Sequence, residues 1–184
     1  MKVQKDKQVI KQQFERLYER ESDAIFRYCL FRVSDHETAL DLTQDAFIRF
    51  WDALFQGKEI LNEKAFIFMI ARNLVIDLYR KKKSLSLDSI LEENEDQMFM
   101  AGDKGLKENI EMSSEARFVM DKISELEPIH QQIIYLRFVE GLLPKEIAGI
   151  LGVSPNVVSV RIIRGLEKLR EITGYENHEE NGNK

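Results

Sequence analysis

The sequence predicts an all-α protein made of two small helical domains joined by a flexible linker. Both halves of the chain place apolar residues at helical spacing, and neither half shows β alternation over any length. An acidic stretch of about 30 residues without a sustained period separates them, which is too long for an ordinary loop. We expect a first domain at 8–83, a linker at 84–115, a second domain at 116–172 and a disordered tail at 173–184.

The composition argues against several classes of protein. The 184 residues contain one cysteine, Cys29, and three scattered histidines, so neither an internal disulfide nor a His-based metal or triad site is expected. The chain opens on polar sequence and has no apolar run of about 18–20 residues, the length of a membrane span. We therefore expect a cytoplasmic protein with no membrane insertion.

The net charge of −5 conceals two basic blocks separated by an acidic one. Residues 1–83 carry 16 basic and 13 acidic groups, and residues 117–170 carry eight and six. Residues 84–116 carry two basic and nine acidic groups, and the segment from 171 onward is also acidic. Because a polyanion binds to a local basic surface rather than to the average charge, nucleic acid stays open as a ligand.

A strongly amphipathic helix is predicted at 37–55. Its apolar face is expected to hold Leu40, Ala46, Phe47, Phe50, Trp51 and Leu54. Its opposite side gathers four acids, with an amide at the edge and an isoleucine among them: Glu37, Asp41, Asp45, Asp52, Gln44 and Ile48. This side is a solvated face, a carboxylate cluster for Mg²⁺ or Mn²⁺, or a docking face for a basic partner helix. Metal sites need ligands from several elements, so docking ranks above metal binding.

A second helix is predicted from about 63 to 82, with apolar residues at 66, 70, 74 and 78 facing inward. Asn73, Asp77 and Arg80 form a polar stripe along it, and the helix finishes in four consecutive cations at 80–83. By spacing alone the stripe is an ordinary polar face. The cationic run is equally compatible with a helix end that complements the macrodipole.

The second domain contains a predicted helix-turn-helix. Pro144 opens a short helix at 144–151, and Gly152 terminates it. Ser154 is the expected N-cap and Pro155 the first residue of the next helix, which runs to about 171. The second helix is expected to bury Val158, Ile162, Leu166 and Leu169, and it shows three cations on another face: Arg161, Arg164 and Lys168. The alternative is an ordinary helical hairpin with a solvated basic face.

Three segments in order resemble a known family. Residues 39–51 resemble the core-polymerase-binding helix of region 2 in bacterial sigma factors, and residues 65–81 resemble the region 2 segment that reads the −10 promoter element. Residues 126–141 and the helix-turn-helix resemble region 4, which reads the −35 element. With nothing resembling regions 1 or 3, the chain is similar to the extracytoplasmic-function (ECF) subfamily of the sigma-70 family.

The resemblance implies a set of site residues. The clamp helices of the largest polymerase subunit would face Asp41, Gln44 and Asp45, with Ile48 as an apolar contact. The −10 element would be contacted by Phe66, Asn73, Asp77, Arg80, Lys81 and Lys82, and the loop at about 55–66 would face its unstacked bases. The −35 element would be contacted by Pro155, Asn156, Val157, Ser159, Val160, Arg161, Arg164 and Lys168. Family members usually carry Thr, Lys and Ser at positions 157, 159 and 160, so the −35 preference is expected to differ.

The resemblance also implies partners: core RNA polymerase through its clamp helices and flap, promoter DNA, and an anti-sigma factor. The polymerase, and not this chain, would perform the chemistry, so the resemblance implies no cofactor and no small-molecule substrate for this chain. Two other functions remain open from the residues alone. One is a dimeric helix-turn-helix repressor or activator, and the other is a metal-dependent phosphohydrolase built on Asp41 and Asp45.

Overall fold

A computed structural model of the chain describes residues 2–85 and 113–174, with side chains described over 7–82 and 113–174. Every regular element in these ranges is helical, which confirms the predicted all-α class. The chain divides into two compact units, the first holding the first three helices. The helices are α1 (Lys2–Val33), α2 (His36–Phe55), α3 (Glu63–Leu85), α4 (Ser114–Ser124), α5 (Pro128–Ile134), α6 (Pro144–Leu151) and α7 (Pro155–Thr173).

The predicted linker and tail fall mostly outside the described residues. At the two ends of the linker the chain is helical, because α3 continues to Leu85 and α4 begins at Ser114. The tail prediction begins at Thr173, which is the last residue of α7, and Gly174 follows it in the left-handed conformation. The remainder of both segments, 86–112 and 175–184, lies beyond the described part of the chain.

In the first unit, α1, α2 and α3 pack on one another around an aromatic core. Phe14 of α1 meets the edges of Phe47 and Trp51 of α2, at centroid distances of 6.1 and 5.2 Å. Tyr28 of α1 meets Phe68 of α3 in the same way at 5.5 Å. Edge-to-face pairs of this kind add stabilisation beyond the burial of their area. The long α1, which no sequence pattern singled out, thus supplies the surface on which α2 and α3 are held.

Polar contacts fix α1 against α3 at two levels. The buried carboxylate of Glu21 lies 2.8 Å from Arg20 Nε and 3.6 Å from Lys64 Nζ on α3. Nearer the end of α1, the Tyr79 hydroxyl donates a 2.5 Å hydrogen bond to the carbonyl of Arg32. Burial lowers the pKa of Arg32 to about 10, so its guanidinium stays charged at neutral pH. These contacts fix the register of α3.

The buried face of α2 differs in part from the predicted one. Phe47, Phe50, Ala46 and Leu54 are buried as expected, but Leu40 is 38% exposed and Trp51 is half-buried. Ala39, Leu42 and Thr43 are buried instead. The core covers a stripe centred on Ala39, Ala46 and Phe50, so Leu40 and Trp51 fall at its margin at about 100° per residue. Leu40 was therefore wrongly placed in the core.

The single cysteine belongs to this core. Cys29 is fully buried beneath α2, and burial raises the pKa of its thiol to about 12. A thiol that stays protonated is a poor nucleophile, so Cys29 acts as a small packing residue.

The helix-turn-helix has the predicted boundaries. α6 and α7 are bent by 106° relative to each other, within the range typical of this motif. Gly152 turns the chain in the left-handed conformation, with φ of 68° and its N–H bonded to the Ala148 carbonyl. Ser154 caps α7 by accepting a hydrogen bond from the Val157 N–H. At the start of α6 the Glu146 carboxylate accepts from the Leu143 N–H at 2.6 Å, which makes up for the lack of a polar cap residue.

α7 packs on α5 through a small residue. Val158 is fully buried as predicted, whereas Ile162, Leu166 and Leu169 are only half-buried. The two helices approach closely at Gly165, where an added Cβ would lie 2.9 Å from Ile134 of α5. After Ile134 the chain continues as one π-helical turn, Tyr135–Val139, closed by the Glu140 N–H on the Tyr135 carbonyl.

Among the described residues no single helix is long and apolar enough to cross a membrane. In these same ranges, only α6 and α7 taken together have the length and apolar composition of a membrane span, and they form a sharply bent pair.

Acid stability should depend on the N-cap of α2. Hydrogen bonds from Thr38 lower the pKa of Asp35 below its ordinary value of 3.8. A carboxylate whose pKa is lower in the folded state than in the unfolded state stabilises the fold by its full amount when the pH is above the unfolded-state pKa. This stabilisation is lost as the pH falls through the folded-state pKa. Asp35→Asn keeps an acceptor oxygen without titrating. We expect the melting temperature of Asp35→Asn to match that of wild type at neutral pH, and to fall less than that of wild type below about pH 4. Asp35→Ala should have a lower melting temperature than wild type already at neutral pH. Equal acid sensitivity of wild type and Asp35→Asn in circular dichroism melts would contradict this.

The close packing of α7 on α5 gives a second prediction. Gly165→Ala should destabilise the second unit by about 1–3 kcal/mol, because the new methyl overlaps the buried Ile134 side chain. Gly149→Ala is the matched control, since Gly149 is exposed on α6 and its added Cβ would meet nothing within 4 Å. That change should be neutral or stabilise by roughly 0.5–1 kcal/mol through helix propensity. Denaturant unfolding of both variants tests this, and a Gly165→Ala chain as stable as Gly149→Ala would refute the tight contact.

Candidate functional site

The outward side of α2 carries the predicted docking residues as one exposed stripe. Asp41, Gln44, Asp45 and Ile48 are all exposed, and Asp52 continues the line one turn later. Ile48 is 58% exposed although it lies among charged groups. The opposite face of α2 is held in the core and its N-terminus is capped by Asp35, so the stripe is presented on a rigid helix.

The arrangement of this stripe favours protein docking. An exposed isoleucine flanked by carboxylates offers an apolar contact within an acidic rim, which suits a helix with basic and apolar side chains. In the part of the chain that the structure describes, no three His, Cys, Asp or Glu side chains converge in a way that could hold a metal ion. The metal-dependent phosphohydrolase therefore gains no geometric support from these residues.

The polar stripe of α3 is presented on one continuous helix. Asn73 and Arg80 are exposed, and Asp77 between them is half-buried. The Asn73 side-chain oxygen lies 3.5 Å from Arg72 Nη1, at the outer limit of a hydrogen bond. Lys81 and Lys82 are exposed at the end of α3, close to where Tyr79 fixes it to α1. Asn73, Asp77 and Arg80 lie on one side of α3, as their spacing predicts, whereas Lys82 falls on the opposite side of the helix.

The loop before α3 exposes a residue that the sequence patterns did not single out. Leu61 is 93% exposed, immediately before Asn62, whose side chain caps α3 by accepting from the Ala65 N–H. Phe66 follows in the first turn and is half-buried, with its ring 6.2 Å from Phe50 and Lys58 Nζ 4.6 Å above it. Two consecutive apolar residues, Ile60 and Leu61, in an otherwise polar loop are the signal that could have indicated Leu61.

The first two turns of α7 present the predicted recognition surface. Pro155, Asn156, Val157, Ser159 and Val160 are exposed, and Arg164 is exposed one turn further on. Ser159 donates its hydroxyl proton to the Pro155 carbonyl at 3.0 Å, so this hydroxyl is engaged within the helix. Arg161 and Lys168 are half-buried.

The basic side of α7 is partly engaged with α5. Lys168 Nζ contacts the Glu127 carboxylate at the N-terminus of α5, and this contact lowers the pKa of Glu127. His130 Nδ1 lies 3.2 Å from the Arg161 carbonyl, and because a carbonyl only accepts, Nδ1 carries the proton. These two contacts orient α7 on α5 and leave Arg164 as the more accessible cation.

Comparison with known proteins identifies both units. The model of Sigma-70 region 2 matches residues 17–85, and that of Sigma-70 region 4 matches residues 123–171. The ECF RNA polymerase sigma factor SigW of Bacillus subtilis is 30% identical over 154 residues, which cover 81% of this chain and 82% of SigW. The ECF sigma factor BldN of Streptomyces coelicolor is 28% identical over 166 residues, covering 85% of this chain and 60% of BldN.

Solved structures share the fold. The sigma factor RpoE of Bartonella quintana, in complex with the anti-sigma factor NepR, gives a TM-score of 0.65 at 20% identity, covering 90% of this chain and 99% of RpoE. CnrH, in complex with the cytosolic domain of CnrY, gives 0.60 at 23% identity, covering 89% of each chain. With region 2 and region 4 matched in order, and SigW matched over most of its length, the chain belongs to the ECF subfamily of the sigma-70 family of RNA polymerase sigma factors.

Proposed function

We propose that this sigma factor divides promoter recognition between its two units. The first unit binds core RNA polymerase through α2 and opens and reads the −10 element through α3 and its preceding loop. The second unit reads the −35 element through α7. The observation that carries the proposal is the exposed acidic stripe of α2 with Ile48 at its centre, a surface that the fold does not bury.

Docking on the polymerase follows from the chemistry of that stripe. The carboxylates of Asp41 and Asp45 would pair with basic side chains of the clamp helices in the largest subunit, and Gln44 would add hydrogen bonds. Burial of Ile48 would supply the apolar centre of the interface, while the charges set specificity and the rate of association. The polymerase then performs the chemistry of RNA synthesis.

The protein would read the −10 element from bases that have left the helical stack. Base edges are hidden inside a duplex, so a protein that reads them individually needs unstacked nucleotides. Asn73 and Asp77 offer an amide and a carboxylate to such bases, with Phe66 at the rim of the same surface. The cations at 80–82 would hold the phosphates beside the melted strand.

The −35 element would be read in the duplex. In a helix-turn-helix the N-terminal residues of the second helix meet base edges in the major groove. Here those are Pro155, Asn156, Val157, Ser159 and Val160, with Arg161, Arg164 and Lys168 toward the phosphates. The flap of the polymerase would hold this unit near the upstream DNA.

A protein inhibitor is a further proposed partner. RpoE and CnrH, which share this fold, are each found in complex with another protein, and NepR is an anti-sigma factor. We infer that an anti-sigma factor, membrane-bound or cytoplasmic, holds this chain in the cytoplasm by covering its polymerase-binding surfaces. The exposed Ile48 would suit such a contact as well as it suits the polymerase.

Charge reversal on α2 tests the polymerase contact. Asp41→Arg/Asp45→Arg should weaken binding to core RNA polymerase at least about ten-fold, because like charges would then face each other across the interface. Gel filtration of each chain with core polymerase, followed by promoter-directed transcription, measures this. The matched control is Glu19→Arg/Asp23→Arg, which reverses two exposed acids at the same spacing on α1.

The outcomes separate the proposal from its rival. Co-elution of wild type and the α1 variant, but not of the α2 variant, supports docking through the acidic stripe. Equal loss in both variants would show that overall charge matters and not this surface. A wild-type chain that stays free of the polymerase, forms a dimer and binds duplex DNA alone would favour the repressor.

The contacts of α7 predict unequal roles for its cations. In polymerase-bound complexes, Arg164→Ala should weaken promoter binding and reduce the dependence of log K on log salt by about one unit, the effect of one lost phosphate contact. Lys168→Ala should have a smaller effect, because its ammonium group is held by Glu127. Glu127→Gln should release Lys168 and steepen the salt dependence. Equal slopes for Arg164→Ala and Lys168→Ala would contradict the structural distinction.

A further inference from the structure

We propose that α7 reads pyrimidine C5-methyl groups in the major groove through an apolar strip formed by Val157, Val160 and Ile163. This inference rests on the proposed −35 recognition by the second unit. It names the chemical feature that this chain selects there: methyl groups, rather than the polar base edges that a charged or hydroxylated helix would select.

The strip is a feature of the exposed side of α7. Val157, Val160 and Ile163 are 38, 46 and 57% exposed, and they follow one another three residues apart. Val158, which points the opposite way, is fully buried and fixes the rotation of the helix. Val160 therefore lies near the middle of the outward face, one turn after Asn156.

Neither the fold nor helix propensity explains these three residues. Val and Ile are weaker helix formers than Ala, because their branched side chains lose freedom against the preceding turn. On an exposed helix face that loss is not offset by burial in the core. Three such side chains in line, on the helix that enters the groove, leave a large apolar surface for a partner to cover.

The polar groups around the apolar strip limit which features of the DNA bases it can contact. Ser159 donates its hydroxyl to the Pro155 carbonyl, so its proton is not offered to a base. Asn156 presents an exposed amide beside Val160, and Arg164 presents a guanidinium on the other side. The groove-facing surface thus combines apolar side chains with one amide and one cation.

Base chemistry then identifies the ligand. In the major groove the methyl group at C5 of thymine is the apolar feature, while the other base edges offer hydrogen-bond donors and acceptors. A valine placed against those polar edges would strip their water without replacing it. Asn156 can pair bidentately with adenine. We therefore expect A·T pairs under the first two turns of α7, with thymine methyls against Val157 and Val160. 5-Methylcytosine carries a methyl at the same position and is the second source of this chemistry.

Removal of single methyl groups tests the proposal. Promoters randomised at the −35 element are first selected by transcription with polymerase bearing the wild-type chain. Each thymine of the selected element is then replaced by deoxyuridine, which pairs identically but lacks the methyl. We expect one or two positions at which promoter binding falls about four-fold, the ratio that corresponds to one buried methyl group. At these positions, 5-methylcytosine compared with cytosine shows whether the methyl is read in either base.

Substitutions in the chain complete a double-mutant cycle. Val160→Ala should weaken binding to the thymine promoter and reduce the effect of deoxyuridine at the one position that Val160 contacts, while any effect at the Val157 position remains. Val119→Ala is the matched control, because Val119 is 47% exposed on α4, outside the helix-turn-helix, and should leave the deoxyuridine effect unchanged. Both positions are exposed, so both variants should fold, which circular dichroism verifies.

Three results would overturn the inference. If the selected element tolerates deoxyuridine at every position, the sigma function is supported but recognition of C5-methyl groups is refuted. Loss of polymerase binding by Val160→Ala would assign the strip to a protein contact. Selection of no promoter at all by wild type would refute the proposed function, and methyl readout with it.

Discussion

The burial of one face of each helix is the constraint on which the functional surfaces of this chain depend. Ala39, Ala46 and Phe50 of α2 are each fully buried, so the rotation of α2 is fixed by the core and its acids point outward. The same holds for α7, where Val158 is fully buried and Gly165 lies against Ile134. A helix that rotated by one residue would move the stripe of Asp41 and Ile48, or the strip of Val157 and Val160, out of position.

Some charged side chains of this chain hold its helices together, and others are available to bind a partner. The contacts of each side chain show which of these roles it has. Glu21 is buried between Arg20 and Lys64, where it joins α1 to α3. Lys168 contacts Glu127, an exposed pair whose contribution to stability is small. That pair still orients one end of α7 and reduces the charge offered to DNA. A count of cations along a helix therefore overstates its basic surface, and only the partners of each group separate Arg164 from Lys168.

The sequence predicted the helices whose ends carry chemical signals. Ser154, Pro155 and Gly152 mark their boundaries by local capping, which needs no knowledge of the rest of the chain. The buried stripe of α2 was predicted less well, and Leu40 was wrong, because neighbouring helices decide where a stripe is centred. Leu61 lies in the loop at about 55–66 that the resemblance assigns to the −10 element, but it was not singled out, since a single exposed residue forms no period. The domain boundaries and the site residues remain predictions, because shared fold and family do not test individual contacts.

The modest size of each surface bears on how promoter recognition is achieved. α7 offers few accessible cations, and in the first unit the acidic stripe of α2 opposes the attraction that the cations at 80–82 exert on DNA, so we expect neither unit alone to bind a duplex tightly. Joining two weak sites raises their combined affinity only when both can engage at the same time. Under the proposed function the polymerase would supply that condition by holding the first unit at the −10 element while the second engages the upstream DNA. Promoter specificity would then be a property of the complex, and weak DNA binding by the free chain would restrict recognition to the polymerase-bound state.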